Sequence, residues 1–168
     1  LVKKGFEVEV ICTDPTGKHP KEEEINGVEV RRFRSIAPNA SYFFAPQIYF
    51  YLKEAKCDVI HAHVYHTLPA LFAAFAKKNR RFIFTPHTFG FPTTFPRNIF
   101  HKLYKPFGTF IFESATKVIS ITKVEYEWLK KTFKVPENKL YYIPLPIDVG
   151  DIRKEEEGRE GAKIAFVG

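Results

Sequence analysis

Asp58-Val59-Ile60-His61-Ala62-His63 decides the reading of this chain. It is a short apolar strand pattern, and its setting recurs downstream. A helical stretch over 67–78 follows it, then the strand Arg81-Phe82-Ile83-Phe84-Thr85. A Pro- and Phe-rich loop leads to a second helical stretch over 97–114. Lys117-Val118-Ile119-Ser120-Ile121 is the next strand, 122–134 its helix, and Leu140-Tyr141-Tyr142-Ile143 the last strand of the series. Short apolar strands alternating with helices of about ten residues or more make βαβ units. Such units build a parallel sheet with helices on both faces, joined by right-handed crossovers. The expected class is α/β.

Upstream, Leu1-Val2-Lys3-Lys4-Gly5 reads as the last turn of a helix, with cations at the negative end of the dipole and Gly just beyond. Phe6-Glu7-Val8-Glu9-Val10-Ile11-Cys12 alternates and then runs apolar, as a strand entering a core does. Residues 13–27 read as a polar loop carrying Pro15, Gly17, Pro20 and the Asn26-Gly27 turn signal. Val28 and Val30 mark one face of a short strand, and 44–56 reads as a helix. Thr122-Lys123-Val124-Glu125 is a capping box at a helix start. Pro106 falls inside a helical pattern and should kink or interrupt it, because it removes a backbone donor.

The composition bounds the function. The chain has 168 residues, 45% hydrophobic and 27% charged, a globular balance. Its net charge of +7 favours anionic partners. The basic residues are interspersed with glutamates, no reading helix or nucleic-acid motif appears, and nucleic acid is not expected as a partner. Two cysteines, Cys12 and Cys57, make no disulfide framework and are expected as buried free thiols. No signal peptide or bilayer-spanning run is visible, so the expected location is cytoplasmic. There is no Walker A motif, no GxGxxG and no G-x-S-x-G elbow.

In an open parallel sheet, ligands bind beyond the carboxyl ends of the strands. His63 tips one strand, His87 follows the next by two residues, Ser120 and Thr122 close the third, and Asp148 ends the last. Several strands thus deliver polar groups to one edge, with free N–H groups at the helix start after Ser120 favouring an anion. His61, His63 and His66 also have the spacing of an H-x-H-x-D-H zinc motif, the basis of a zinc-hydrolase alternative. Tyr65 stands where that motif needs its carboxylate. A non-catalytic domain binding a sugar or phosphorylated ligand at the same edge is the other alternative.

Taken in order, these segments resemble glycosyltransferase family 4, in its N-terminal, acceptor-side domain. Leu1 to Val10 is similar to the family's L-x-x-x-G-H-E-V-x-V. Asp58 to His63 is similar to D-V-I-H-A-H, Thr85-Pro86-His87-Thr88-Phe89-Gly90 to its T-x-H loop, and Ala115 to Thr122 to A-D-x-V-I-x-V-S. Lys139 to Asp148 resembles the strand leading to I-P-N-G-V-D, and Lys163 to Gly168 the I-L-F-V-G that opens a donor domain. The resemblance implies a Rossmann-like half of a GT-B fold. It implies a retaining transferase that moves a sugar from a nucleotide-sugar donor to an acceptor hydroxyl without a metal ion or other cofactor. It assigns His87 a catalytic place beside the transferred sugar, and His63 the acceptor side. Thr122 stands for the family's serine, with Ser120 as a further substrate-binding candidate, and His61 packs within the sheet.

The resemblance also organises the chain: an acceptor domain over 1–149, a charged, Gly-punctuated linker over 150–162, and the first strand of a donor domain over 163–168. The family's first strand would precede Leu1 and its donor domain would follow Gly168. The chain is therefore expected to be truncated at both ends and to transfer negligibly alone. Leu145-Pro146-Ile147-Asp148 departs from N-G-V-D, losing the glycine that eases the turn. The acceptor is a glycan or a lipid. Tyr42-Phe43-Phe44, Tyr49-Phe50-Tyr51 and the loop over 89–97, near Lys53, Lys102 and Lys105, suit an anionic membrane surface, sugar stacking or a plain core.

Overall fold

The structure, a computed structural model, describes residues 1–37, 42–88 and 95–145. The linker over 150–162, the strand over 163–168, Asp148 and loop residues 89–94 lie outside these. The described residues form two sheets. β1 (Glu9–Asp14), β2 (Glu22–Ile25) and β3 (Val28–Arg34) make one; β4 (Val59–His63), β5 (Arg81–Thr85), β6 (Lys117–Ser120) and β7 (Leu140–Tyr142) make the other.

The second sheet runs β4-β5-β6-β7 with every neighbouring pair parallel, as the alternation of strands and helices requires. Its helices are α2 (Leu68–Ala76), α3 (Phe95–Ser114) and α4 (Lys123–Phe133). The core lies between them and the sheet: Phe82 and Phe84 from β5, Val118 from β6, Ile111 and Phe112 from α3, Leu129 and Phe133 from α4. Four buried alanines on α2 (Ala70, Ala73, Ala74, Ala76) let that helix approach its neighbours closely. The family-type architecture is therefore present: a Rossmann-like parallel sheet flanked by helices.

The first sheet differs from the reading of 13–27 as loop. β1 pairs β3 in parallel, but β2 pairs β3 antiparallel, closing a hairpin at Asn26-Gly27. Both turn residues are left-handed, at φ 52 and 77, as a two-residue hairpin turn demands. β2 lacks an apolar pattern because charge pairing holds it. Arg31 bonds Glu22 from β2 and Glu9 from β1, while Arg32 pairs with Glu23. Three consecutive glutamates look like loop until two arginines face them.

Helix α1 (Gln47–Glu54) joins the sheets. Tyr51 packs on Phe33 with ring centres 5.5 Å apart and donates its hydroxyl to Glu9 at 2.5 Å. At the carboxyl end of α1, the Arg80 guanidinium donates to Leu52 O at 2.6 Å and Ala55 O at 2.9 Å, and also to Ala76 O. One side chain thus closes the carbonyl ends of α1 and α2 together.

Two further expectations change. α3 continues through Pro106 without interruption. A Cβ on Gly108, two residues further along this helix, would lie 2.5 Å from the Tyr65 hydroxyl, so only glycine lets the fully buried Tyr65 ring pack there. Neither cysteine is buried: Cys57 is exposed in the turn before β4, and Cys12 is half-buried.

Candidate functional site

Parallel pairing puts the ends of β4 and β5 side by side, with His63 in register with Thr85. The ladder then runs on into the loops. Val64 N donates to Thr85 O at 3.0 Å and Tyr65 N to Pro86 O at 2.7 Å. Two residues at this rim hold left-handed backbone without being glycine: Val64 at φ 69 and His87 at φ 49. For a β-branched residue that region is costly and persists only where the surroundings hold it. Here two interloop hydrogen bonds hold it.

The consequence is a histidine pair. His63 Nδ1 and His87 Nε2 are 3.0 Å apart, and the rings stack with centres at 5.3 Å. One nitrogen of the pair must donate and the other accept, so the bond survives only while at least one of the two is unprotonated. Burial, then the neighbouring His87, holds His63 below the usual imidazole range. The other ring nitrogens, His63 Nε2 and His87 Nδ1, have no partner among the described residues. His61 stacks on His63 at 4.2 Å and its Nε2 bonds Thr85 Oγ1 at 2.8 Å. Burial and the two neighbouring histidines push it down to about 4, so it is neutral at pH 7. It lies on β4, but its side chain is exposed at the sheet face and not packed within it as the sequence suggested.

His66 does not join this group. Its ring packs edge-on to Tyr65 at 4.6 Å and beside Tyr104 at 6.5 Å. Among the described residues no group of three His, Cys, Asp or Glu side chains is placed to hold a metal ion. The zinc reading of His61, His63 and His66 therefore loses its third ligand to an aromatic contact.

Ser120 ends β6 and Thr122 opens α4, and Glu125 links that turn to the loop that carries His87. Thr122 Oγ1 accepts from Glu125 N at 3.0 Å, the capping half of the expected box. The reciprocal half is redirected. Glu125, 2% exposed, accepts from Ile121 N at 2.9 Å with one oxygen and from Thr88 N at 2.7 Å with the other. Its carboxylate thus pins the residue after His87 to the start of α4. Ser120 sits beneath the rim, fully buried, donating to Thr122 O at 2.6 Å. Thr122 is half-buried at the edge. Glu125 is the site residue that sequence reasoning missed: the T-x-x-E spacing marked it, but as a local cap and not as a link to another loop.

A four-stranded parallel sheet with its polar groups gathered at the carboxyl ends of the strands defines a Rossmann-like α/β domain with a ligand rim. Residues 1–151 match Glycosyltransferase Family 4, and the chain belongs to that family. Its fold is similar to that of a chain of sucrose-phosphate synthase from Thermosynechococcus elongatus. That match has a TM-score of 0.59 and 16% sequence identity and covers 94% of this chain and 86% of that one. At such identity the likeness carries the fold, that of a GT-B glycosyltransferase domain. No match is found among curated proteins.

Proposed function

We propose that the His63–His87 rim is the acceptor-side wall of a cleft in which a sugar passes, with retention, from a nucleotide sugar to an acceptor hydroxyl. The observation that carries this reading is the 3.0 Å imidazole pair at the carboxyl ends of β4 and β5. A neutral imidazole whose other ring nitrogen has no such partner can accept from or donate to a sugar hydroxyl. In this reading His87 lies beside the transferred hexose and is the catalytic residue. His63 contacts the acceptor, Thr122 and Ser120 shape the anion-favouring start of α4, and no metal or cofactor takes part. The nucleotide is held mainly by a donor-binding half, so the 168-residue chain alone transfers negligibly.

The test is titration of the chain with nucleotide sugars and with glycan or lipid acceptors, following the ring resonances of all six histidines by NMR. The expected result is saturable shifts at His63 and His87 and none at His19. A ligand that shifts His66 and leaves His87 untouched would overturn the reading, and robust turnover of radiolabelled donor by the chain alone would overturn the expectation of negligible transfer.

The acceptor is a glycan or a lipid, and the family setting is carbohydrate metabolism. No helix among the described residues is long and apolar enough to cross a membrane. Cytoplasmic placement, with peripheral contact to an anionic membrane surface, fits the net charge of +7.

A further inference from the structure

Of the aromatics that the sequence offered for surface contact, Tyr42, Phe43, Tyr49 and Tyr51 are half-buried and Phe44 and Phe50 are exposed. Tyr42 packs on Tyr104, and Tyr51 on Phe33. Tyr49 and Phe50 of that set join two rings of α2 at the surface. Pro46, Tyr49, Phe50, Phe72 and Phe75 line an open groove between α1 and α2, with Phe50 65% and Phe75 53% exposed. The apolar surface continues onto α3, where the Phe110 ring lies 4.7 Å from Phe75. Leu103, Phe107 and Phe110 share one helical face, and the first two are exposed.

Charge is arranged at one end of this groove. Lys53 follows Phe50 by three residues on α1 and so lies beside that exposed ring, while Lys78 lies just past the end of α2. The two meet: Lys78 Nζ donates to Lys53 O at 2.8 Å. Across residues 44–81 the cations are Lys53, Lys56, Lys77, Lys78, Arg80 and Arg81, and the only acids are Glu54 and Asp58. α2 runs back from the carboxyl end of β4, so Phe75 and Lys78 lie at the end of the domain away from the histidine rim.

We propose that this aromatic groove, with its basic end at Lys53 and Lys78, seats the protein on an anionic lipid bilayer. Exposed rings enter the boundary between headgroups and acyl chains, and the lysines meet lipid phosphates. The histidine rim faces away from that contact and stays open to solvent. The seat does not depend on the transferase reading, because nothing in it uses the rim.

The test is co-sedimentation of the chain with phosphatidylcholine vesicles and with mixed phosphatidylcholine–phosphatidylglycerol vesicles, at low and high salt. Binding is expected to the mixed vesicles, weakened by salt. Phe50→Ser with Phe75→Ser should weaken it by about tenfold or more. Lys53→Gln with Lys78→Gln should weaken it by about tenfold and remove most of its salt dependence. All four positions are exposed, and an unchanged circular dichroism melt shows that each double variant folds. No binding to mixed vesicles at low salt would overturn the proposal, as would equal binding by the variants. So would a dimer in sedimentation equilibrium that the phenylalanine variant dissolves, because a second copy would then own the groove.

Discussion

Glu125 Oε1 accepts the Thr88 backbone N–H at 2.7 Å, across thirty-seven residues of sequence. With its other oxygen on Ile121 N, one buried carboxylate ties the loop after β5 to the turn after β6. This bond keeps His87 at the rim.

Removing the Glu125 carboxylate leaves two backbone N–H groups buried and unpaired. Glu125→Ala should therefore cost about 3 kcal/mol in urea unfolding. Glu125→Gln should recover only part of this, because an amide offers one acceptor oxygen and presents a donor to the second N–H. In Glu125→Gln, the His87 ring resonances should shift while those of His19 stay fixed. An unmoved His87 would show that the clamp does not position the ring.

The second expectation concerns pH. His61 is held down to about 4, against an ordinary value of 6.5. Between these values the unfolded chain binds a proton that the folded chain does not, so stability rises with pH across that window. Its contribution is complete above about pH 6.5 and fades as pH falls toward 4. NMR titration of the His61 ring should give a midpoint near 4, and His61→Asn should flatten the stability profile in this window. A midpoint at the ordinary value would refute the argument.

Arg80 serves four carbonyls, those of Leu52, Ala55, Ala76 and Lys77, at the ends of two helices. Arg80→Ala should lower stability by about 2–4 kcal/mol in chemical denaturation, given the strength of charge-assisted bonds. Arg80→Lys should restore less than half, since a point ammonium cannot span the guanidinium fork. Full rescue by lysine would mean that charge at the helix ends matters and geometry does not.

Gly108→Ala reverses the usual sign for a helix. Alanine is worth about 1 kcal/mol more than glycine in a helix interior. Here the new methyl meets the Tyr65 ring, so a net loss of about 1–3 kcal/mol is expected from overpacking. Combined with Tyr65→Leu, the loss should be smaller than the two single losses added together. Additive losses would show that the ring can step aside.

The parallel sheet was legible because each of its strands is a short apolar run between helical stretches, and β5 falls where Arg81 to Thr85 placed it. β2 was not, because what makes Glu22–Ile25 a strand is Arg31 and Arg32 on the neighbouring strand, and that pairing is a tertiary fact. The histidine rim was legible as an edge, since strand direction alone brings His63 and His87 to one end. Its closure was not. No spacing says that Glu125 will reach past its own cap to Thr88, or that His66 will turn to Tyr104 and leave His61 and His63. Side-chain destinations depend on which loops meet, and the chain shows only where each loop begins.

Val64 and His87 hold the corner of the rim in a conformation that glycine would adopt freely, and they do so under load. A glycine at Val64 would slacken that corner: the same strands would end in the same place, but the imidazole pair would wander. The tension in two peptide units thus substitutes for the stiffness that a crosslink would supply, and it keeps the two imidazoles in one place.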